Sequence, residues 1–184
     1  GGYHGLSYGA LQATGYLQEQ FRAPFAGQLG DHVQHAPWGG QIPDLSGVGA
    51  VIVEPIQGRG GMRVPPEGWL KALQQAAHAA GALFILDEIY TGFGRTGPWF
   101  AFQGLDLSPD LVCLGKGMAG GFPISACIGT AAAMASWGAS SGMALHTQTF
   151  LGNPVGCAMA LACPAVLDTV APEAQAKGAR LARS

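Results

Sequence analysis

The sequence predicts an α/β fold, a mostly parallel central sheet with helices on both faces. Three observations predict it. Short, continuously apolar runs recur along the chain, an amphipathic helical pattern separates two of them, and the charged residues of these runs fall at their C-terminal ends. Strands covered on both faces lose the apolar–polar alternation of half-exposed strands, and that loss marks parallel sheets packed between helices. Ligands of such sheets bind beyond the carboxyl ends of the strands. The placement of charge is therefore a statement about function as well as fold.

Each element follows from local composition. Residues 1–20 mix Gly, Tyr and Ser around an apolar stretch at Tyr8–Leu11, and residues 22–48, rich in Pro, Gly, His and Gln, read as loop. Val48–Glu54 is a β-branched run between turn residues, a buried strand. Pro55–Pro66 is a glycine-rich connection. Pro66 and Glu67 suit a helix start, Trp69, Leu73, Ala76, Ala77 and Ala80 follow at helical spacing, and Gly81 ends the helix. Lys71, Gln74, Gln75 and His78 fill its opposite face. Ala82–Leu86 is a second buried strand, ending at Asp87-Glu88, and Leu111–Leu114 a third, ending at Gly115-Lys116. Ile124–Ile128 fits a fourth strand and Pro154–Val170 an apolar helix, which Pro164 should kink or end.

Bulk composition narrows the function classes. The 184 residues suit one domain, with 48% hydrophobic and only 11% charged residues. Thirty glycines without a period exclude collagen-like repeats and imply many tight turns. A formal charge of -2 gives no electrostatic footprint for nucleic acid, and none is expected as a partner. No apolar run reads as a spanning segment of about 18–20 residues, so no membrane is expected either. Cys113, Cys127, Cys157 and Cys163 lie in apolar segments without CxxC spacing, which fits buried free thiols in a reducing compartment, the cytoplasm. The start at Gly1, already inside motif-like sequence, and the stop at Ser184 lead to the expectation of a piece of a longer protein.

Lys116 is the sharpest chemical signal. Of three lysines, Lys71 lies on the polar face of a helix and Lys177 in a polar C-terminal stretch. Lys116 stands in the apolar, glycine-flanked segment Leu111–Phe122 with no other charge near it. A lysine there lowers its pKa, forms an imine or snorkels from the strand end. Asp87 follows an apolar strand, where a carboxylate needs a positive or hydrogen-bonding partner. A protonated pyridine nitrogen would serve, as would a helix N-cap role or an ion pair with Arg95. Tyr3-His4-Gly5 offers an aromatic face with a histidine to anchor its loop. The run from His146 to Pro154 supplies hydroxyls and amides ahead of a helix, which fits a phosphate site or a plain cap. The five histidines have no metal-ligand spacing, and no GxSxG, P-loop or GxGxxG motif is present.

Taken together, these segments resemble the class III (ornithine/4-aminobutyrate type) aminotransferases of the fold type I pyridoxal phosphate superfamily. The matching pieces are Tyr3-His4-Gly5, Val53–Gly58, Leu86–Gly97, Leu114–Gly117 with Gly120–Ser125, and Thr149–Pro154, in the family's order. The resemblance implies that Lys116 holds pyridoxal 5'-phosphate as an internal aldimine and shuttles a proton between substrate and cofactor. It implies that Asp87 bonds the pyridinium nitrogen, Tyr3 stacks on the ring with His4 beside it, and Tyr90 stands near the phenolic oxygen. Thr149 would reach the cofactor phosphate of the neighbouring subunit of a homodimer, and Glu54 lies on the substrate side. The implied reaction is ping-pong transfer of an amino group from an amino acid or amine to a 2-oxo acid.

Two residues depart from the family pattern: Tyr90 replaces a frequent glutamine, and Arg59 a frequent glutamate. By the same resemblance, residues 1–184 correspond to a cofactor-binding part of the large domain, without the upstream phosphate loop or the C-terminal small domain. The alternatives are an aminomutase of the same family and a non-catalytic truncated remnant.

Overall fold

The computed structural model describes all residues except 140, 144–146, 182 and 184. Two short helices open the chain, α1 (Tyr8–Leu11) and α2 (Gln18–Phe21), followed by a 3-10 turn at Ala23–Gln28. Four strands then form one sheet in the order β1 (Ala50–Val53), β2 (Leu83–Asp87), β3 (Leu111–Leu114) and β4 (Ala126–Gly129). β1, β2 and β3 run parallel, and β4 closes the edge antiparallel to β3. The mostly parallel sheet is therefore as the apolar runs require, with each strand within two residues of its expected bounds. The direction of β4 was not legible, because a four-residue apolar segment carries no mark of its orientation.

The helix α3 (Trp69–Ala79) is the crossover between β1 and β2. It buries Leu70, Leu73, Gln74 and Ala77, a stripe at the i, i+3, i+4, i+7 spacing of a helix packed on a sheet. These side chains meet Val53, Phe84 and Leu86 of the strands in the main core. Its end is a Schellman arrangement. Gly81 takes φ +75°, its N–H bonds His78 O at 3.0 Å, and Ala82 N–H bonds Ala77 O at 2.9 Å. The chain thus turns directly from α3 into β2. The buried Gln74 carboxamide accepts from Ser108 N–H at 2.7 Å and fixes the approach to β3.

Past β4 come α4 (Ala131–Ala135), capped by the Thr130 hydroxyl, and the long helix α5 (Pro154–Leu181). α5 corrects the expected end near Val170, since it runs 28 residues through Pro164 and Pro172. A proline inside a helix loses one backbone bond and crowds the preceding turn, at about 3 kcal/mol. Contacts on both sides of Pro164 offset that cost. Before it, Gly156 lies against Phe122 and Ile124; after it, Leu167 and Ala171 lie against Gly94. Cys163 bonds Gly117 O at 3.4 Å, so the helix docks on the turn that carries Lys116.

α5 also corrects the reading of the apolar runs. By length and composition it is apolar enough to cross a membrane, with a window of mean hydropathy 1.6. The spanning criterion depends on length and hydropathy, and alanine, glycine and proline meet it without an obvious Leu/Ile/Val block. The cysteines are free, as expected, but Cys127 is exposed and the other three are half-buried.

Candidate functional site

The three parallel strands end at Glu54, Asp87 and Gly115-Lys116, which brings the candidate residues to one edge of the sheet. Asp87 is the centre of the arrangement. Its side chain is 5% exposed, and its Oδ2 lies 2.7 Å from Nδ1 of His4, itself 7% exposed. Its Oδ1 accepts from Ile89 N–H at 3.1 Å. Neither the N-cap nor the Arg95 ion pair is its setting, for Asp87 ends a strand and Arg95 is exposed. A buried carboxylate with two such donors is compensated, and it retains lone pairs for one more.

His4 is held in turn. Its backbone N–H bonds the Thr14 hydroxyl at 3.2 Å, and that hydroxyl donates to Gly5 O at 2.9 Å. Thr14 is fully buried and clamps the Tyr3-His4-Gly5 turn against α1. Glu54, 5% exposed, ties the same turn to the sheet. Its Oε1 accepts from Tyr3 N–H at 2.8 Å and its Oε2 from Gly58 N–H at 3.0 Å. Both of its carboxylate oxygens are therefore used in joining two loops.

The Tyr3 ring meets Tyr16 and Phe21 edge to face and carries the Arg59 guanidinium 4.5 Å over its centroid. Arg59 belongs to a tight turn closed by paired backbone bonds between Gln57 and Arg63, each 3.0 Å. Gly58 of this turn lies flat against Tyr90, where a Cβ would stand 2.7 Å from Cδ1 of the ring. Gly58→Ala is expected to displace ring or turn at about 1–3 kcal/mol. A lowered urea midpoint would record it; an unchanged midpoint would contradict the close contact.

Lys116 follows β3 with a φ of +42°, in the left-handed region that a lysine enters only at a cost. Its amine lies 5.7 Å from the centroid of Tyr90, whose hydroxyl reaches Met62 Sδ at 3.8 Å. Lys116 is exposed, which corrects the expectation of a lysine within an apolar site; flanking glycines leave its side chain open to solvent. Cys113 is the residue paired with Asp87 across β2 and β3. Burial pushes its thiol up to about 12, and Cys127 and Asp87 add to the effect.

Glu88 escaped the sequence reading, because one buried carboxylate beside another has no local signature. It is fully buried, bonded by the Thr91 hydroxyl and by Phe102 N–H at 2.9 Å. Burial raises its carboxyl above the usual range against the pull of these donors. A raised acid favours folding while protonated and loses that contribution as pH rises through the folded value. Glu88→Gln is therefore expected to gain on the parent protein in urea midpoint as pH climbs from about 4 to 8. Parallel profiles would show that the Glu88 carboxyl titrates alike in the folded and unfolded chain, and would contradict the upward shift.

Thr149 is exposed in the turn leading into α5, and among the described residues no hydrogen bond joins it to Lys116 or Asp87. Its neighbour in the same motif, His146, lies outside the described residues. Among the described residues no cluster of metal ligands is present.

The residues fit pyridoxal phosphate. An accessible amine beside an aromatic ring and a buried carboxylate fixed by histidine are groups that an aldehyde-bearing pyridinium requires. Comparison with known proteins agrees. Residues 44–183 match the family model of class III aminotransferases. The chain is 40% identical to the acetylornithine aminotransferase of Methanopyrus kandleri, covering 99% of this chain and 46% of that one. It is 45% identical to the acetylornithine aminotransferase of Streptomyces coelicolor, over 94% of this chain and 42% of that one. It thus spans about half the length of these relatives. Among solved structures, an (S)-enantioselective omega-transaminase from Thermomicrobium roseum superposes with a TM-score of 0.81 at 31% identity, over 98% of this chain and 46% of that one. The ornithine aminotransferase of Toxoplasma gondii, with PLP partly occupying its active site, gives 0.65 at 40% identity, over 71% of this chain and 30% of that one. With its strand-end lysine and histidine-held aspartate, the chain belongs to the class III aminotransferases, whose cofactor is pyridoxal phosphate.

Proposed function

We propose that this chain is the central part of the cofactor-binding domain of an aminotransferase, completed by the phosphate loop and small domain of the whole enzyme. The enzyme moves an amino group from an amino acid or amine to a 2-oxo acid in two alternating half-reactions. The observation that carries this reading is the buried His4–Asp87 pair, 2.7 Å apart at the end of β2, next to the strand that delivers Lys116. Pyridoxal phosphate supplies an aldehyde and an electron-withdrawing ring when bound.

The chain's own residues do the rest. Lys116 offers its amine for covalent attachment and, once released, takes and returns a proton at the substrate Cα. Asp87 keeps a ring nitrogen protonated, with His4 fixing the carboxylate. Tyr3 gives an aromatic plane, Tyr90 a hydroxyl for an anionic oxygen, and Glu54 the anchorage of the Tyr3 turn. Thr149 serves the phosphate of a neighbouring subunit in a homodimer. Phe150, Leu151 and Val155 around it are exposed apolar side chains that such a neighbour would cover. Four free thiols suit a cytoplasmic setting.

The test is a donor screen on the complete enzyme carrying this sequence, with ornithine, acetylornithine and simple amines against 2-oxoglutarate and pyruvate. Product that needs both donor and acceptor supports an aminotransferase. Product from one amino substrate with no added oxo acid would make it a mutase, and no product from any pair would overturn catalysis.

A further inference from the structure

We propose that Arg59 is a specificity residue of this site and receives a carboxylate of the substrate, so that the preferred partners are amino acids and oxo acids rather than plain amines. The proposal rests on the aminotransferase reading and names its substrate class.

The turn that bears Arg59 touches both aromatic rings of the site. Arg59 itself lies over Tyr3, while Gly58 and Met62 contact Tyr90, the ring beneath the Lys116 amine. The turn is fixed, closed by the Gln57–Arg63 bonds and held at Gly58 N–H by Glu54. Arg59 therefore projects from a rigid base at the rim of the site, not from a free loop. Its side chain is exposed, and among the described residues no carboxylate lies within ion-pair distance of it. The nearby Glu54 forms no ion pair with it; its two oxygens accept the Tyr3 and Gly58 N–H groups.

What holds the guanidinium at present is the Tyr3 ring. An exposed cation–π contact is weaker than a hydrogen bond from a guanidinium to an ionised partner. A carboxylate arriving at the rim thus outcompetes the ring. The planar fork of arginine also matches a carboxylate through two parallel bonds, which a lysine cannot reproduce.

The experiment compares Arg59→Ala and Arg59→Gln with the parent in the complete enzyme loaded with pyridoxal phosphate. Three quantities are read: KM for ornithine, KM for 1-phenylethylamine, and the dissociation constant of glutarate, an unreactive dicarboxylate, by calorimetry. The expected result is a rise of about 10–100-fold for ornithine and glutarate, with 1-phenylethylamine within about twofold. Arg59→Lys should recover part of the loss. Unchanged glutarate binding, or equal rises for ornithine and 1-phenylethylamine, would overturn the proposal while leaving transamination standing. Glutarate binding that depends on Arg59 in a protein without transaminase activity would uphold the anion site and sink the proposed function instead.

Discussion

In the complete enzyme, Lys116→Ala is expected to abolish covalent capture of pyridoxal phosphate and to lower turnover by at least about 10³–10⁴-fold, the combined loss of the proposed attachment point and proton carrier. The other lysines cannot replace it. Lys71 is bound to the Asp106 carboxylate at 3.0 Å and to the Asp106 carbonyl, and Lys177 pairs with Glu173 at 3.6 Å. Borohydride reduction followed by peptide mapping of the modified lysine reads the result directly. Label confined to Lys116 in the parent and absent from the variant is the expected pattern; label on Lys71 or Lys177 in the variant would displace the assignment. The fold should not suffer, because the side chain is exposed. Lys116→Gly should even gain up to about 1 kcal/mol, since glycine adopts the +42° φ without the penalty of a Cβ. An inactive but more stable variant is the signature of strain kept for function.

How much of this was legible beforehand depends on the distance over which each feature is encoded. Strand interiors and the stripe of α3 are local patterns, and they appear where the pattern places them. Lys116 and Asp87 were legible because an isolated charge at the end of an apolar strand is visible within a few residues. His4 was legible as a loop anchor, but its bond to Asp87 was not, since the two are 83 residues apart. No spacing rule links them; only the folded sheet brings the first turn of the chain to the end of β2. Thr14 is hidden for the same reason, being a clamp that matters only once the His4 turn exists. Pro164 misled because a local penalty was weighed without the docking contacts that offset it. Arg59 was legible as a departure from a family pattern, but its place over Tyr3 came from the closed 57–63 turn.

Asp87→Asn separates the charge at the site from its shape, and its expected effect is a fall in turnover on the order of 10²–10³-fold with covalent capture at Lys116 intact. The carboxamide has the size of the carboxylate, and its oxygen still accepts from His4 Nδ1–H. The fold therefore trades a charge-assisted hydrogen bond for a neutral one, a loss of about 1 kcal/mol. That is small beside the about 3–5 kcal/mol that follows when one member of a buried pair is removed outright, which is the expectation for Asp87→Ala. The catalytic loss has a different origin. An amide at residue 87 would no longer favour a protonated ring nitrogen, and removal of the proton at the substrate Cα would be slower. Single-turnover kinetics with a Cα-deuterated donor tests this, for a slower proton step enlarges the isotope effect. An unchanged rate and isotope effect in Asp87→Asn would mean that the His4–Asp87 pair serves only to fasten the first turn of the chain to the sheet. Loss of covalent capture along with turnover would mean that the pair positions the Lys116 turn instead. The expected split, capture kept and proton transfer slowed, is one that neither structural role produces.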